Sequence, residues 1–309
     1  MRAVVLVGGE GTRLRPLTLT TPKPLLPIAG VRLIERVVRH LAEHGVDDVV
    51  LSIGYKPDAF RAAFPSNECA GVPISYAVED EPLDTGGAIA FAAGEAGIDE
   101  RFIVVNGDVI SEVDLTALVG FHEHSGASAT VSLVAVDDPS RFGVVVTNAD
   151  GRVTAFVEKP AAGEAPSNLI NAGTYVMEPR AIRDLPRGER VSVERTVFPS
   201  LAARGELYAL ASDAYWIDTG NPTSYIQANV DIAGGAAIDA TADVHATAVV
   251  IDSVVFRGAT VGKGARVERS IIGAGAVIGD NAVVADFSVV ADGASIPADA
   301  ICEGERVEA

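Results

Sequence analysis

Ala3-Val4-Val5-Leu6-Val7-Gly8-Gly9-Glu10-Gly11-Thr12-Arg13-Leu14-Arg15-Pro16-Leu17 is the stretch from which the rest of the chain is read. Five apolar residues, mostly valine, run straight into three glycines and then two arginines. A short apolar run bounded by glycine predicts a buried strand of the parallel-sheet kind. Glycines at its end let the backbone pass close to a ligand and aim N–H groups at it, as anion sites do. Arg13 and Arg15 add fixed positive charge, and Pro22-Lys23-Pro24 adds a third cation between two stiff residues. The spacing excludes a Walker A loop, because no lysine follows Gly11 where that loop needs one. It also excludes a dinucleotide loop, because Leu14 stands where the third glycine belongs. A polyphosphate site at the carboxyl end of the first strand is therefore expected.

Outward from this loop, strand and helix patterns alternate. Leu33, Ile34, Val37, Val38 and Leu41 recur at helical spacing, and Gly45 is placed to cap the C-terminus. Strands are expected at residues 48–53, 74–78 and 102–105, with a short helix at 57–64 and an alanine-rich one from about Ala88 to Ala96. The alternation calls for an α/β fold, a Rossmann-like doubly wound sheet whose loops at 8–15, 82–87 and 106–108 share one crevice. From Ala129 strands dominate, at residues 130–136, 143–147, 153–157 and 171–177, so the sheet should be mixed. Asn148-Ala149-Asp150-Gly151 reads as a hairpin turn. Ser192 is expected to cap a helix, and Asn221-Pro222 to open the last helix of this part.

Past about Asp231 a short repeat takes over. Aliphatic residues fall at Ile238, Val244, Val250, Val255, Val261, Val267, Ile272, Ile278, Val284, Val290 and Ile296. The step is six except at Val250–Val255 and Val267–Ile272, where it is five. Alanines 242, 248, 259, 265, 276, 282 and 294 follow many of them four positions on. This period predicts a short left-handed parallel β-helix of hexapeptide repeats, with between three and four coils. The chain should thus divide into a catalytic domain at 1–232 and a β-helix domain at 233–309. The open end of a short β-helix needs covering, so a homo-oligomer is expected through it.

Composition narrows the classes. With 42 acidic against 24 basic residues the formal net charge is −18, which opposes binding to nucleic acid or an anionic membrane. No apolar run is long enough to span a bilayer and no leader precedes the first strand, so a cytoplasmic protein is expected. Cys69 and Cys302 lie outside any metal or redox spacing and read as free thiols. His40, His44, His122, His124 and His245 lack ligand spacing and read as surface residues. Lysine is scarce, at Lys23, Lys56, Lys159 and Lys263 alone.

Taken together, these residues resemble the sugar-1-phosphate nucleotidyltransferase family over nearly the whole chain. Its G-G-x-G-T-R-L stands at residues 8–14, its P-K-P at 22–24 and its G-D at Gly107-Asp108. Its E-K-P is Glu158-Lys159-Pro160, its N-A-G is Asn171-Ala172-Gly173, and its W-x-D-x-G runs from Trp216 to Gly220. Within the family, Leu17-Thr18, Ser192-Val193-Glu194, Val197-Phe198-Pro199 and the hexapeptide domain are similar to mannose-1-phosphate guanylyltransferases. The resemblance implies transfer of a nucleoside monophosphate from an NTP, GTP by preference, to a sugar 1-phosphate, with Mg²⁺ as cofactor. A sugar 1-phosphate is already an anionic nucleophile, so the protein's task is to hold two anions together and stabilise charge on the leaving pyrophosphate.

By the same resemblance, Arg13 neutralises the β- and γ-phosphates and Lys23 the α-phosphate, while Asp108 and Asp218 hold Mg²⁺. Lys159 binds the sugar phosphate, Glu158 and Asn171 the sugar hydroxyls, with Gly107 and Gly173 beside them. Gly8, Gly9, Gly11, Thr12, Asn106 and the turn Thr85-Gly86 contact the nucleotide. Asp84 stands where guanylyltransferases often have glycine and some uridylyl-transferring relatives have an acid. It leaves glucose-1-phosphate uridylyl or thymidylyl transfer as an alternative, beside a non-catalytic regulatory paralogue that binds nucleotide sugar.

Overall fold

The computed structural model describes residues 1–186 and 188–309. They form two compact units, Met1–Gly8 with Val37–Trp216, and Gly9–Arg36 with Ile217–Ala309.

The first unit is built on a ten-stranded sheet. Arg2–Leu6 lies between Asp48–Ile53 and Phe102–Asn106, parallel to both, and Val72–Val78 pairs beyond Asp48–Ile53. Ala3, Val4 and Val5 are fully buried, as expected of a strand covered on both faces. Leu169–Met177 then runs antiparallel to Phe102–Asn106 and makes the sheet mixed. Ala129–Ala135 pairs with it, and the hairpin of Gly143–Thr147 and Val153–Glu158 flanks it. That hairpin turns where the Asp-Gly signal puts it, with Gly151 at φ 82°. Because Leu6 is in register with Asn106, the loops leaving these two strands begin side by side.

Two expectations are corrected here. The helix after the third parallel strand runs Asp84–Glu95 and begins four residues before Ala88. The carbonyl of Val191 accepts from the N–H groups of Gly86 and Gly87, at 2.7 and 3.0 Å, which satisfies donors a helix start leaves open. His122 is buried, not on the surface: Nδ1 lies 2.8 Å from Thr130 Oγ1 and Nε2 3.4 Å from Glu178. Cys69 and Cys302 are both buried, and neither is in a disulfide.

In the second unit the glycine loop ends in a 3₁₀ turn, Thr12–Leu14, followed by a helical turn, Leu17–Thr20, and a second 3₁₀ turn, Lys23–Leu25. A small hairpin pairs Pro27–Ile28 with Val31–Arg32. The helix Pro222–Ala233 opens as its sequence predicts. The Asn221 side chain accepts from Ser224 N, proline occupies the first turn, and Gly234 closes the end at φ 71°.

The repeat folds into three parallel sheets of five, four and four short strands, consistent with a left-handed β-helix. Every aliphatic position predicted from Val255 to Ile296 points into one core, with the alanines of the same phase among them. The repeat outlasts the predicted one. Cys302 takes the inward place six residues after Ile296, and the strands Ile301–Glu303 and Arg306–Val307 extend the sheets. The five-residue steps turn on single left-handed residues, Asp252 and Arg269, whereas the longer step uses two, Asp286 and Phe287. Buried Ser253, Ser270 and Ser288 stand after these corners, and the Ser253 hydroxyl accepts from Ser270 N at 3.1 Å. No helix among the described residues is long and apolar enough to cross a membrane.

Candidate functional site

In the second unit the structure gathers four of the expected residues. Gly11 adopts φ 64°, open to glycine, and its carbonyl accepts from Thr18 Oγ1 at 2.9 Å and from Leu14 N at 2.9 Å. A side chain on Gly11 would stand 3.1 Å from Lys23 Cβ, so the loop and Lys23 are packed together. Lys23 is 4% exposed, and its Nζ lies 3.5 Å from Oδ1 of Asp218. That oxygen is itself buried and accepts no hydrogen bond within the described residues. Gly220 explains how a third charge fits. A Cβ there would lie 2.5 Å from Nη2 of Arg13 and 2.8 Å from Asp218 Oδ1. The missing side chain thus lets a guanidinium, an ammonium and a carboxylate share one surface. Arg15 pairs with Glu10 at 2.9 Å on the exposed side. Thr12 is exposed, and none of the described residues lies within 4 Å of where a Gly9 side chain would point.

In the first unit the expected residues form three groups. The first surrounds the end of the strand Phe102–Asn106. Gly107 donates to Leu6 O at 2.9 Å, and a Cβ there would meet Val7 at 2.6 Å, so only glycine lets the two strand ends close. Asp108 follows, half-buried, and Gly8 packs on Gly54. Asn171-Ala172-Gly173 is a bulge in its strand, where the register shifts. Gly173 sits at φ 75°, and a Cβ there would be 2.6 Å from Asn106 Nδ2. Asn171 Oδ1 accepts from Gly173 N and Nδ2 donates to Tyr175 OH, each at 2.9 Å. Burial holds the Tyr175 phenol far above its ordinary value, so it stays neutral.

The second group is Glu158 with Lys159, 3.3 Å apart. Lys159 is 59% exposed on its side chain and sits at φ 50°, a region that a residue before proline ordinarily avoids. Such strain tends to persist where it serves a site. The third group holds Thr85 and Gly86. Thr85 Oγ1 donates to Glu194 at 2.6 Å and accepts from Val193 N at 2.9 Å, while Gly86 N–H is taken by Val191. These groups tie the helix start to the 191–194 segment. Asp84 is exposed, at φ 59°, and accepts from Thr85 N.

Three residues outside the expected set complete this picture. Trp216 Nε1 donates to Ala172 O at 2.8 Å, with its ring edge-on to Phe142, so it grips the bulge. Ser192 caps its helix by accepting from Arg195 N, and Glu194 accepts from Ser192 Oγ at 2.8 Å. Glu79 accepts from Ser52 Oγ and Leu83 N and braces the loop before Asp84. Trp216 and Glu194 lay inside quoted motifs. Glu79 carries no sequence signal beyond following a strand.

The chain matches the family described as Nucleotidyl transferase over residues 2–234, and the domain described as GMPPB C-terminal domain over residues 216–308. It is similar to a mannose-1-phosphate guanylyltransferase of Mycobacterium tuberculosis, 45% identical over 237 residues, which are 76% of this chain and 65% of that protein. A mannose-1-phosphate guanyltransferase of Debaryomyces hansenii is 40% identical over 234 residues, 74% of this chain and 64% of that one. The chain thus spans less than two thirds of these relatives' length. Among solved structures, HddC from Yersinia pseudotuberculosis superposes with a TM-score of 0.65 at 32% identity, covering 75% of this chain and 99% of that one. Its complex with GMP-PN gives 0.63 at 31%. A putative glucose-1-phosphate thymidylyltransferase from Bacillus anthracis gives 0.68 at 26%, covering 74% and 94%.

Proposed function

The chain belongs to the nucleotidyl transferase family, and we propose that it makes GDP-mannose and pyrophosphate from GTP and mannose 1-phosphate. The observation that carries the reading is Lys23, a buried ammonium packed under the glycine turn and paired with Asp218. Burying such a charge is costly, and an anion-binding task accounts for it. The names of the curated relatives support the base and the sugar.

In this proposal Arg13 faces the leaving pyrophosphate and Lys23 the transferred phosphate. Lys159 takes the sugar phosphate, and Glu158 and Asn171 the sugar hydroxyls. The Asn171 amide spends one lone pair and one N–H on its own strand and has a second of each. Gly8, Gly9, Gly11, Thr12, Asp84, Thr85, Gly86 and Asn106 line the nucleotide, and Gly107 and Gly173 border the sugar. The donor set fits Mg²⁺. The buried Oδ1 of Asp218 is a hard acceptor without a hydrogen bond, and Mg²⁺ commonly takes one or two carboxylates beside substrate phosphates. Asp218 and Asp108 would hold the ion, which supplies charge neutralisation at the phosphates.

We also assign residues 1–232 to catalysis and 233–309 to assembly of a homo-oligomer, and place the reaction in the cytoplasm. Ile301 is 68% exposed on the β-helix. Ile301→Arg should change the sedimenting size, and an unchanged size would count against that interface. Asp84 favours one second reading, a uridylyl or thymidylyl transfer to glucose 1-phosphate. Pyrophosphate release measured across the NTPs with mannose and glucose 1-phosphates tests both. No turnover of GTP with mannose 1-phosphate would end the first.

A further inference from the structure

Lys23 is held by a segment whose backbone is tied down at three successive residues. The Tyr225 hydroxyl donates to Pro27 O. Arg36 donates to Ile28 O through Nε and Nη2, at 3.0 and 2.8 Å. Ala29 N donates to Asn229 Oδ1 at 2.8 Å. Ala29 itself sits at φ 45°, a left-handed conformation that a residue with a Cβ disfavours, so something must impose it. Its neighbour Gly30, at φ 78°, completes a tight hairpin turn.

Tyr225 and Asn229 are four residues apart on the helix Pro222–Ala233 and so share a face. Asn229 is 1% exposed, and its Nδ2 donates to Tyr225 O at 2.8 Å. Both halves of its amide are therefore committed. The clamp reaches Lys23 through the backbone: Leu33 N donates to Leu26 O, and Leu26 N to Lys23 O, each at 3.0 Å. The chain just before the same helix carries Asp218, the carboxylate that Lys23 faces. One short element thus holds the segment that bears the cation and presents that cation's anion.

We propose that Asn229 is a positioning residue: its carboxamide pins the Ala29 turn and through it fixes Lys23 against Asp218. Its effect on turnover rests on the reading of Lys23 as a phosphate-binding cation, whereas its effect on Lys23 burial does not. The scarcity of lysine makes this testable in the full-length chain. In Asn229→Ala, acylation of Lys23 by a small N-hydroxysuccinimide ester, followed by peptide mass spectrometry, should quicken about tenfold, as release of a buried hydrogen bond predicts. Cys69 and Cys302 should stay closed to a thiol reagent. Asn229→Asp keeps an acceptor for Ala29 N but loses the donor to Tyr225 O, so its labelling should fall between those of the parent and Asn229→Ala.

In kinetics, Asn229→Ala should raise KM for the NTP and lower kcat while KM for the sugar 1-phosphate stays within about twofold. Lys23 labelling within about twofold of the parent would overturn the proposal. So would unmasking of Cys302 together with Lys23, because that means general loosening. If the parent chain releases no pyrophosphate from any pair of substrates, the proposed reaction fails and the labelling still decides the clamp.

Discussion

The ammonium of Lys23 lies 3.5 Å from Oδ1 of Asp218, and that oxygen is buried without a hydrogen bond among the described residues. The pair is a buried cation and an anion held side by side. Lys23→Met keeps the apolar stem and removes only the charge. It should cost about 100-fold or more in kcat/KM. Asp218→Asn should lose comparable activity and also lower the melting temperature, because it removes the carboxylate that faces a buried ammonium. Near-normal turnover in either variant would remove the pair from the chemistry.

Gly220 is predicted to be intolerant for a steric reason local to two charges. In Gly220→Ala the new methyl would be 2.5 Å from Arg13 Nη2 and 2.8 Å from Asp218 Oδ1. Arg13 is exposed and can swing away, so the fold should survive while kcat/KM falls about tenfold or more. Parent-like kinetics would show that Arg13 need not lie over this glycine.

Trp216→Phe retains an aromatic edge for Phe142 and deletes the N–H that grips Ala172. The lost hydrogen bond is worth about 1 kcal/mol. Loosening the bulge should raise KM for the sugar 1-phosphate about fivefold and leave that for the NTP alone. Equal changes in both constants would argue that Trp216 supports the unit as a whole.

His122 sets a pH dependence of stability. Burial holds its imidazole below the ordinary 6.5, opposed by Glu178 and reinforced by the nearby Arg101 and Arg180 charges. The unfolded chain therefore binds this proton more readily than the folded one. Its stabilising contribution is complete above pH 6.5 and is lost progressively as pH falls from there through the lower folded value. Urea midpoints should drop between pH 7.5 and 5.5, and His122→Gln should flatten that drop. An identical slope in the variant would refute the assignment. Burial would raise Glu178, but the Arg101 pairing and His122 hold it below 4.5, so a second loss is expected below that pH.

Local signals were legible wherever a backbone period or a capping residue decided the outcome. The first strand and its glycines, the Asn221-Pro222 helix start, the Asp150-Gly151 turn and the hexad phase from Val255 to Ile296 all emerged as read. The helix start at Asp84 leaves no local signal because the acceptors of its open donors belong to a distant segment: the Val191 carbonyl takes Gly86 and Gly87 N–H, and Thr85 and its acceptor Glu194 are 109 positions apart. His122 was misread because spacing reports ligand patterns and says nothing about which face of a helix is covered. The last coil was missed because Cys302 does not look like the aliphatics whose place it takes.

By itself the sequence determined the mixed α/β sheet and the β-helix, because these follow from hydrophobic periods and from glycine turns, and it carried the family as a resemblance in its ordered motifs. Only the tertiary structure decided what the motif residues do to one another. It shows that Gly220 is bare because two charges converge on it, that Asn171 first stabilises its own bulge, and that Asn229 imposes the Ala29 turn. Those contacts join residues far apart in the chain, and long-range closure leaves no period in the sequence.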